Sequence, residues 1–508
     1  MQEIVARCGP LRLTGWQGLA LVVLLAAVLR VHALGTRCFH GDELLSISIA
    51  SSSRMAELQR STAPAWHPPL HYAVPRLLYL AGASTEAQWR IAGVLFGVLT
   101  AAVSFLIPWA WGAGRIGFVA GLLTATSPMA VLFSQSVRWH PLVGGMLALG
   151  ALGLVLAVHR ECFWGWLLAG VCFALAFQTI YVAGIPALLM LLLALYHVLR
   201  NGKPLTGFLS AILLWTVAVA PSARVLASWL QPGALHWEPL RSSLGMPGKL
   251  LVLLQNLTVG PTVMPWNWLV TVPAVVLLSV LAWCFVTTRQ SEVAAMRSSV
   301  LAVVAVCMLV PLVAPLTASS RYWLILLVPV HIAMAGGAAT ITSARRRRLA
   351  FLALAAIVGY GLLNLYGQRQ YQYRELIDDW SGLAELTRRE VRPGDEVWSV
   401  MMPFVYYYGP DALNVYSWYR EPDSVARHLQ TSRPNRVFLQ YSPLSDWEVI
   451  SFAGMAEVIG AELQKQGFER QSQMRYGFDP DAAKKRYYMR GRDFPDYRHM
   501  LEMWVSVP

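Results

Sequence analysis

The sequence predicts a mainly α, polytopic membrane helix bundle of about 11 spans with a C-terminal extracytoplasmic α/β domain. Three observations carry that prediction. Hydrophobic residues make up 56% of the 508 residues and charged residues only 14%, against about 45–50% and about 25% in soluble proteins. Mean hydropathy is positive, at +0.47. The charge is also unevenly placed: from Gln368 onward lie 20 of the 28 acids and 18 of the 41 bases, so the first 367 residues are apolar and basic. The low charge and many aromatics exclude disorder, collagen and coiled coil.

The elements follow from a span length of about 20 mostly apolar residues. The first candidate is Leu13–Leu34, preceded by Arg7 and Arg12. A secretory signal peptide would have the same charged start, but this run is long and no small-residue cleavage site follows. Further apolar runs lie near 89–110, 116–133, 141–158, 164–180, 181–199, 207–224, 268–287, 299–317, 322–342 and 349–366. Loops rich in Lys and Arg stay cytoplasmic. With a cytoplasmic N-terminus, those loops contain Arg115, Arg160, Arg200–Lys203, Arg289–Arg297 and Arg345–Arg348. Tryptophans near span ends (Trp16, Trp109, Trp164, Trp268, Trp323) fit interfacial belts. An odd number of spans places the tail outside the cytoplasm, together with the loops Gly35–Gln88 and Arg224–Asn267. Amphipathic stretches at 43–60 and 240–257 suit helices lying flat on the membrane.

Two domains result: 1–366 in the membrane, with the first outer loop 35–88 as the catalytic candidate, and 367–508 as the polar domain. In the latter, Asp378–Glu390 reads as a helix, with the stop and turn Arg392-Pro393-Gly394-Asp395. Val397–Met401 and Arg436–Tyr441 read as short strands and Trp447–Gln466 as a longer helix. No internal repeat, phosphate-binding glycine loop or nucleophile–base motif is found, so the tail reads as a recognition or lid domain. The net charge of +13 belongs to the membrane part and signals cytoplasmic loops, not nucleic-acid binding. Six cysteines without CxxC or regular spacing indicate neither a disulfide framework nor a metal site.

Few residues remain to carry chemistry. Asp42 is the sole aspartate of the first 377 residues, and Glu43 follows it, in Phe39-His40-Gly41-Asp42-Glu43. An aspartate here also suits a helix N-cap; acids beside a bilayer core are costly and usually functional. His67-Pro68-Pro69-Leu70-His71-Tyr72 follows, its prolines fixing a turn back to the membrane. Two histidines four apart share a helix face, but no third ligand completes a zinc site. Arg90, Arg138 and Arg321 sit at outer span ends. Each alone reads as a snorkelling side chain; on the same face as the acid pair, they form a phosphate-binding set. Such a set suits a lipid-linked sugar phosphate, the arginines neutralising the leaving phosphate while the acid deprotonates or orients the acceptor.

At these residues the sequence resembles a known group. The Asp-Glu of the first outer loop, then His-Pro-Pro-Leu, then Trp89-Arg90-Ile91-Ala92-Gly93-Val94-Leu95-Phe96-Gly97-Val98-Leu99-Thr100 is similar to the protein O-mannosyltransferase superfamily. That group includes bacterial polyprenyl-phosphate-sugar transferases among the GT-C membrane glycosyltransferases. Ser127-Pro128, Ser134-Gln135-Ser136-Val137-Arg138, Ser320-Arg321-Tyr322 and the stretch from Asp379-Trp380 to Pro393-Gly394-Asp395 also resemble bacterial members. The resemblance implies an inverting, mannosyltransferase-like transfer of one sugar from a polyprenyl-phosphate donor to an extracytoplasmic lipid, glycan or protein acceptor, in a bacterial inner membrane. By that resemblance the catalytic acid falls on Asp42 with Glu43 beside it, and the family arginine on Arg90. His67, Arg54, Arg138, Arg321 and Tyr322 are the further substrate-binding candidates. The lipid A aminoarabinose transferases of the group usually show Asp-Glu-Thr-Arg and Glu-Lys-Pro here. This chain has Asp42-Glu43-Leu44-Leu45 and His67-Pro68-Pro69, which argues against lipid A and aminoarabinose. No cofactor is expected, since one Asp-Glu pair is thin ligation for Mg²⁺ or Mn²⁺. The rival readings are a transporter or flippase of a lipid-linked glycan, and a non-enzymatic envelope scaffold or sensor. Transporters place charges near the midplane and often show repeated halves, neither of which is found.

Overall fold

The computed structural model describes residues 6–8, 11–13, 15–52, 68, 70–222, 246–265, 267–313, 324–367, 379–442, 452–477 and 499–507. The chain folds as two compact units: residues 1–35 with 46–372, and residues 36–45 with 373–508.

Among its described residues the first unit is helical apart from a short strand pair, β1 (Ala6–Cys8) and β2 (Leu11–Leu13). Its described helices are α1 (Gly15–Val31), the later turns of α2 (Gly41–Ser51), α3 (Leu70–Leu80), α4 (Glu86–Ala110), α5 (Gly114–Thr126), α6 (Pro128–Ser134), α7 (His140–His159), α8 (Phe163–Phe177), α9 (Gly184–Arg200), α10 (Thr206–Val219), α11 (Met246–Thr258), α12 (Trp268–Thr287), α13 (Ser291–Val313), α14 (Leu327–Thr340) and α15 (Ala344–Gly367). The expected amphipathic stretches are helical at Gly41–Ser51 and Met246–Thr258.

Among the described residues, five helices are long and apolar enough to cross a membrane: Glu86–Ala110, His140–His159, Tyr181–Arg200, Trp268–Thr287 and Ala344–Gly367. A sixth is a pair, α5 and α6, bent by 55°. This is fewer than the about 11 spans expected from apolar runs. α1, α8, the segment Thr206–Ser222 and the segment Leu324–Thr340 are apolar and shorter among the described residues. Proline explains the bent pair. Pro128 has no N–H to continue the ladder of α5, and Ser127 instead caps α6 by accepting the N–H of Ala130 at 3.3 Å.

Packing follows residue periodicity. On α12 the buried positions are Thr271, Ala274, Leu278, Leu281 and Phe285, one stripe at helical spacing. The opposite side shows Leu269, Val272, Val276 and Trp283 exposed, a surface suited to lipid. α7 is buried on nearly all sides and forms the centre of the bundle, packed against α8 and α9 through Leu147, Leu154, Phe173 and Leu191.

The second unit is an α/β domain. Its elements are α16 (Trp380–Glu390), β3 (Glu396–Ser399), α17 (Met402–Tyr408), β4 (Ala412–Asn414), α18 (Asp423–Ser432), β5 (Arg436–Tyr441), α19 (Phe452–Lys465), β6 (Phe468–Tyr476) and β7 (His499–Ser506). The sheet order is β4-β3-β5-β7-β6. β4, β3 and β5 run parallel, while β7 pairs antiparallel with β5 and β6. Trp380, Leu383 and Phe404 cover one face with Val397 and Phe438; Val425, Leu429, Ile459 and Leu463 cover the other with Trp398, Leu439 and Trp504. Asp379 caps α16 by accepting the N–H of Gly382 at 2.9 Å.

A buried carboxylate completes the sheet. Glu502, 3% exposed, accepts from Arg470 at 2.7 Å, Gln473 at 2.9 Å, Tyr441 at 3.0 Å and the Trp504 indole at 3.1 Å. Burial, with Glu502 beside it, pushes the Tyr441 hydroxyl up to about 12, so it remains a donor to that carboxylate.

Candidate functional site

The acid pair opens α2. The helix begins at Gly41, which makes His40 the capping residue and puts Asp42 and Glu43 in the first turn. The His40 ring Nδ1 accepts the Asp42 N–H at 3.1 Å, and Glu43 Oε2 accepts the His40 N–H at 3.3 Å. This is a capping box with histidine in the serine position. The reading of Asp42 as N-cap is therefore corrected: the cap falls to His40, whose ring nitrogen reaches the backbone as a hydroxyl would. Glu43 is 2% exposed and has this structural duty; Asp42 is half-buried. The segment before them is tied within the same unit, the Phe39 N–H donating to the Tyr407 hydroxyl at 2.6 Å.

In the membrane unit, Ser46, one turn further along α2, meets two of the polar residues. The Arg138 guanidinium donates to Ser46 Oγ at 3.3 Å, and Ser46 Oγ lies 3.3 Å from His71 Nε2. Arg138 and His71 both line a small cavity of about 30 Å³, closed by Trp89, Gly93, Phe96 and Trp139. Arg138 stands in the turn between α6 and α7. His71 is 3% exposed on the first turn of α3.

Arg90 is 2% exposed and donates to the Leu34 carbonyl at 3.2 Å. It thereby anchors the turn that ends α1. The N-terminus of α4 that carries it is fixed by a capping box between Thr85 and Gln88. Arg90 and Arg138 thus belong to one unit, but only Arg138 lines the cavity. Arg54 and His67 (within 53–67) and Arg321 and Tyr322 (within 314–323) lie outside the described residues.

Sequence reasoning missed Arg30, the arginine that organises this end of the bundle. It is fully buried and donates to the carbonyls of Thr124 at 3.1 Å and Ala125 at 2.9 Å, and to Ser134 Oγ at 3.2 Å. The break at Pro128 deprives the last turn of α5 of its donors, and Arg30 supplies them. Glycines of α4 admit this arrangement: a Cβ at Gly97 would collide with Ser134 Oγ and the Arg30 guanidinium, and one at Gly93 with the Ser136 carbonyl at 3.0 Å. The glycine spacing in Gly93-Val94-Leu95-Phe96-Gly97 and the serines of Ser134-Gln135-Ser136 are therefore a packing pair. An arginine inside an apolar run, Leu29-Arg30-Val31, was the available signal. Among the described residues no group of three or more His, Cys, Asp or Glu converges.

Solved structures share this architecture. Superposition on ArnT from Cupriavidus metallidurans bound to undecaprenyl phosphate covers 96% of this chain and 98% of that one, at a TM-score of 0.54 and 14% identity. The chain shares the fold of that ArnT structure. The apo form of the same ArnT aligns over 84% of this chain and 93% of that chain, at a TM-score of 0.51 and 16% identity. The archaeal oligosaccharyltransferase AglB from Archaeoglobus fulgidus, in complex with an inhibitory peptide and a dolichol-phosphate, aligns over 84% of this chain and 69% of that chain, with TM-score 0.45 and 11% identity. No protein-family model matches the sequence, and no curated protein matches it either. The GT-C resemblance read from the first-loop and arginine motifs accordingly holds at the level of fold, in a multi-pass membrane protein.

Proposed function

We propose that the chain transfers a sugar from a polyprenyl-phosphate donor to an acceptor outside the cytoplasm, with inversion at the anomeric carbon. The acceptor is a cell-envelope lipid, glycan or protein. The observation that carries this reading is the fold likeness along 96% of the chain to the ArnT structure bound to undecaprenyl phosphate. The first helix after α1 supplies chemistry suited to that donor. It carries Asp42 in its first turn, and within the membrane unit the Arg138 guanidinium donates to Ser46.

In the proposed reaction Asp42 accepts the proton of the acceptor nucleophile as its oxygen or nitrogen bonds to the anomeric carbon. The bond from that carbon to the phosphate oxygen breaks, and prenyl phosphate departs with its charge neutralised by guanidinium. Arg138 is the described arginine best placed for the phosphate, since it lines a cavity; Arg90 holds the adjoining backbone. Arg54, His67, Arg321 and Tyr322 complete the proposed substrate-binding set. The eleven-span topology, the cytoplasmic N-terminus, the outward polar domain 367–508 and the bacterial inner membrane remain part of the same proposal.

The test is release of free prenyl phosphate from a sugar-loaded donor by purified protein in the presence of acceptor. Asp42→Asn is expected to stop that release in protein that still folds. Undiminished release by the variant would remove Asp42 from the mechanism. No release by the parent with any prenyl-phosphate sugar would favour transport or scaffolding.

A further inference from the structure

One cavity of the membrane unit has no part in the proposed transfer. It is an apolar groove of about 120 Å³ running between α4, α7, α9, α13 and α14. Along α7 it extends from Gly144 to His159, about 22 Å at 1.5 Å per residue. That is longer than one leaflet's share, about 15 Å, of the hydrocarbon core. Its walls are aliphatic until the end where α4 and α7 finish.

There the character changes. The rings of His159 and His197 stand 6.2 Å apart, and Trp111 packs against His159 at 5.1 Å; all three line the groove. The buried Trp111 indole nitrogen has no acceptor, a donor that an apolar lining alone leaves orphaned. Arg160 and Lys203 lie within electrostatic reach of His159, and Arg200 within reach of His197. The nearby carboxylate, Glu161, is exposed and pairs with Lys203 at 3.0 Å. One acid against three bases leaves the mouth of the groove cationic.

We propose that this groove holds an acidic phospholipid, with one acyl chain between α7 and α9 and the phosphate at His159, His197 and Trp111. The charge complementarity selects the headgroup: a phosphate oxygen accepts from the orphaned indole N–H and is neutralised by Arg160, Arg200 and Lys203. A zwitterionic lipid brings its own cation into the same cluster and is disfavoured. The bound lipid belongs to the leaflet beside the loops read from sequence as cytoplasmic, opposite the leaflet from which the outer loop takes its donor.

The experiment uses the full chain, purified and stripped of loose lipid in detergent. Retained lipid is identified by mass spectrometry, and stabilisation against heat is titrated with phosphatidylglycerol and with phosphatidylcholine. The parent is expected to retain an acidic phospholipid and to prefer phosphatidylglycerol roughly tenfold, because phosphatidylcholine brings its own cation against the basic cluster. His159→Ala combined with His197→Ala is expected to weaken stabilisation by phosphatidylglycerol while an acyl chain still binds. Ala151→Trp, which fills the groove, is expected to abolish retention. Absence of retained lipid in the parent, equal response to both headgroups, or retention of a prenyl phosphate in place of a phospholipid overturns the proposal. If Ala151→Trp does not fold, the histidine variant decides, because its side chains lie at the mouth of the groove.

Discussion

His40 Nδ1 accepts the backbone N–H of Asp42 at 3.1 Å, so the first helix after α1 is capped by a histidine and the aspartate stands inside the first turn. This arrangement separates two roles that the sequence left combined in Asp42. Helix initiation belongs to His40 and Glu43. The chemistry proposed for Asp42 is then testable without unfolding the segment that carries it.

Asp42→Asn keeps the size of the side chain and removes the base. Turnover is expected to fall by about 10²–10⁴-fold, the usual contribution of a positioned general base, with stability within about 0.5 kcal/mol of the parent. His40→Ala is expected to do the reverse in kind, costing about 1 kcal/mol of stability as a lost cap. Prenyl phosphate release and thermal unfolding, measured on both variants, separate the two roles.

Arg138→Ala is expected to raise the KM for the lipid-linked donor roughly tenfold or more, since a phosphate contact with a charged group contributes about 1.5–3 kcal/mol. The KM for acceptor is expected to stay within twofold or so of the parent by the same argument. Arg90→Ala is expected to weaken donor use more than acceptor use, and also to lower stability, because the Leu34 carbonyl loses its buried donor. Equal donor kinetics in Arg138→Ala and parent would take Arg138 out of the site.

Arg30→Met is expected to destabilise the bundle by about 2–5 kcal/mol, because the carbonyls of Thr124 and Ala125 are left without donors in a buried setting. Gly97→Ala strikes the same contact from α4, where the added methyl meets Ser134 and Arg30. Both variants are expected to lower the thermal unfolding midpoint in detergent. Unchanged midpoints would show that the break at Pro128 is held by other contacts.

The polar domain has an acid-sensitive pair in Asp395 and Arg436, joined at 2.5 Å with the carboxylate 2% exposed. Burial pushes the Asp395 carboxyl up, but the Arg436 guanidinium and the Arg392 N–H outweigh it and hold the group below its ordinary value. A depressed carboxylate contributes stability above its unfolded value of about 3.9 and loses it as pH falls through the folded one. The unfolding midpoint of the parent is therefore expected to drop more steeply below about pH 4 than that of Asp395→Asn.

Activity is expected to survive EDTA, since the outer loop offers a single Asp-Glu pair and hard divalent cations take about six or more oxygen ligands. Loss of turnover on chelation, restored by Mg²⁺ or Mn²⁺, would reject this.

Much of the polar domain was legible in sequence. Arg436–Tyr441 is a strand at the expected residues, and the helix expected at Asp378–Glu390 forms at Trp380–Glu390 behind the Asp379 cap. The strand Phe468–Tyr476 was missed because most of its side chains are exposed, so it lacks the alternation of apolar residues that marks a half-buried strand. Its exposed Arg470 pairs with the buried Glu502 on β7, a partner 32 residues away.

Composition and hydrophobic periodicity by themselves determined that this chain is a multi-pass helical protein with a polar α/β tail. Those properties depend on residues near one another in the chain, whose burial is repeated along each helix. Tertiary structure alone decided that His40 and not Asp42 caps α2, that Arg30 closes the break between α5 and α6, and that Arg138 and His71 meet at Ser46. Each of these depends on hydrogen-bond geometry that residue type does not specify, and the two last on backbones brought together from distant parts of the sequence.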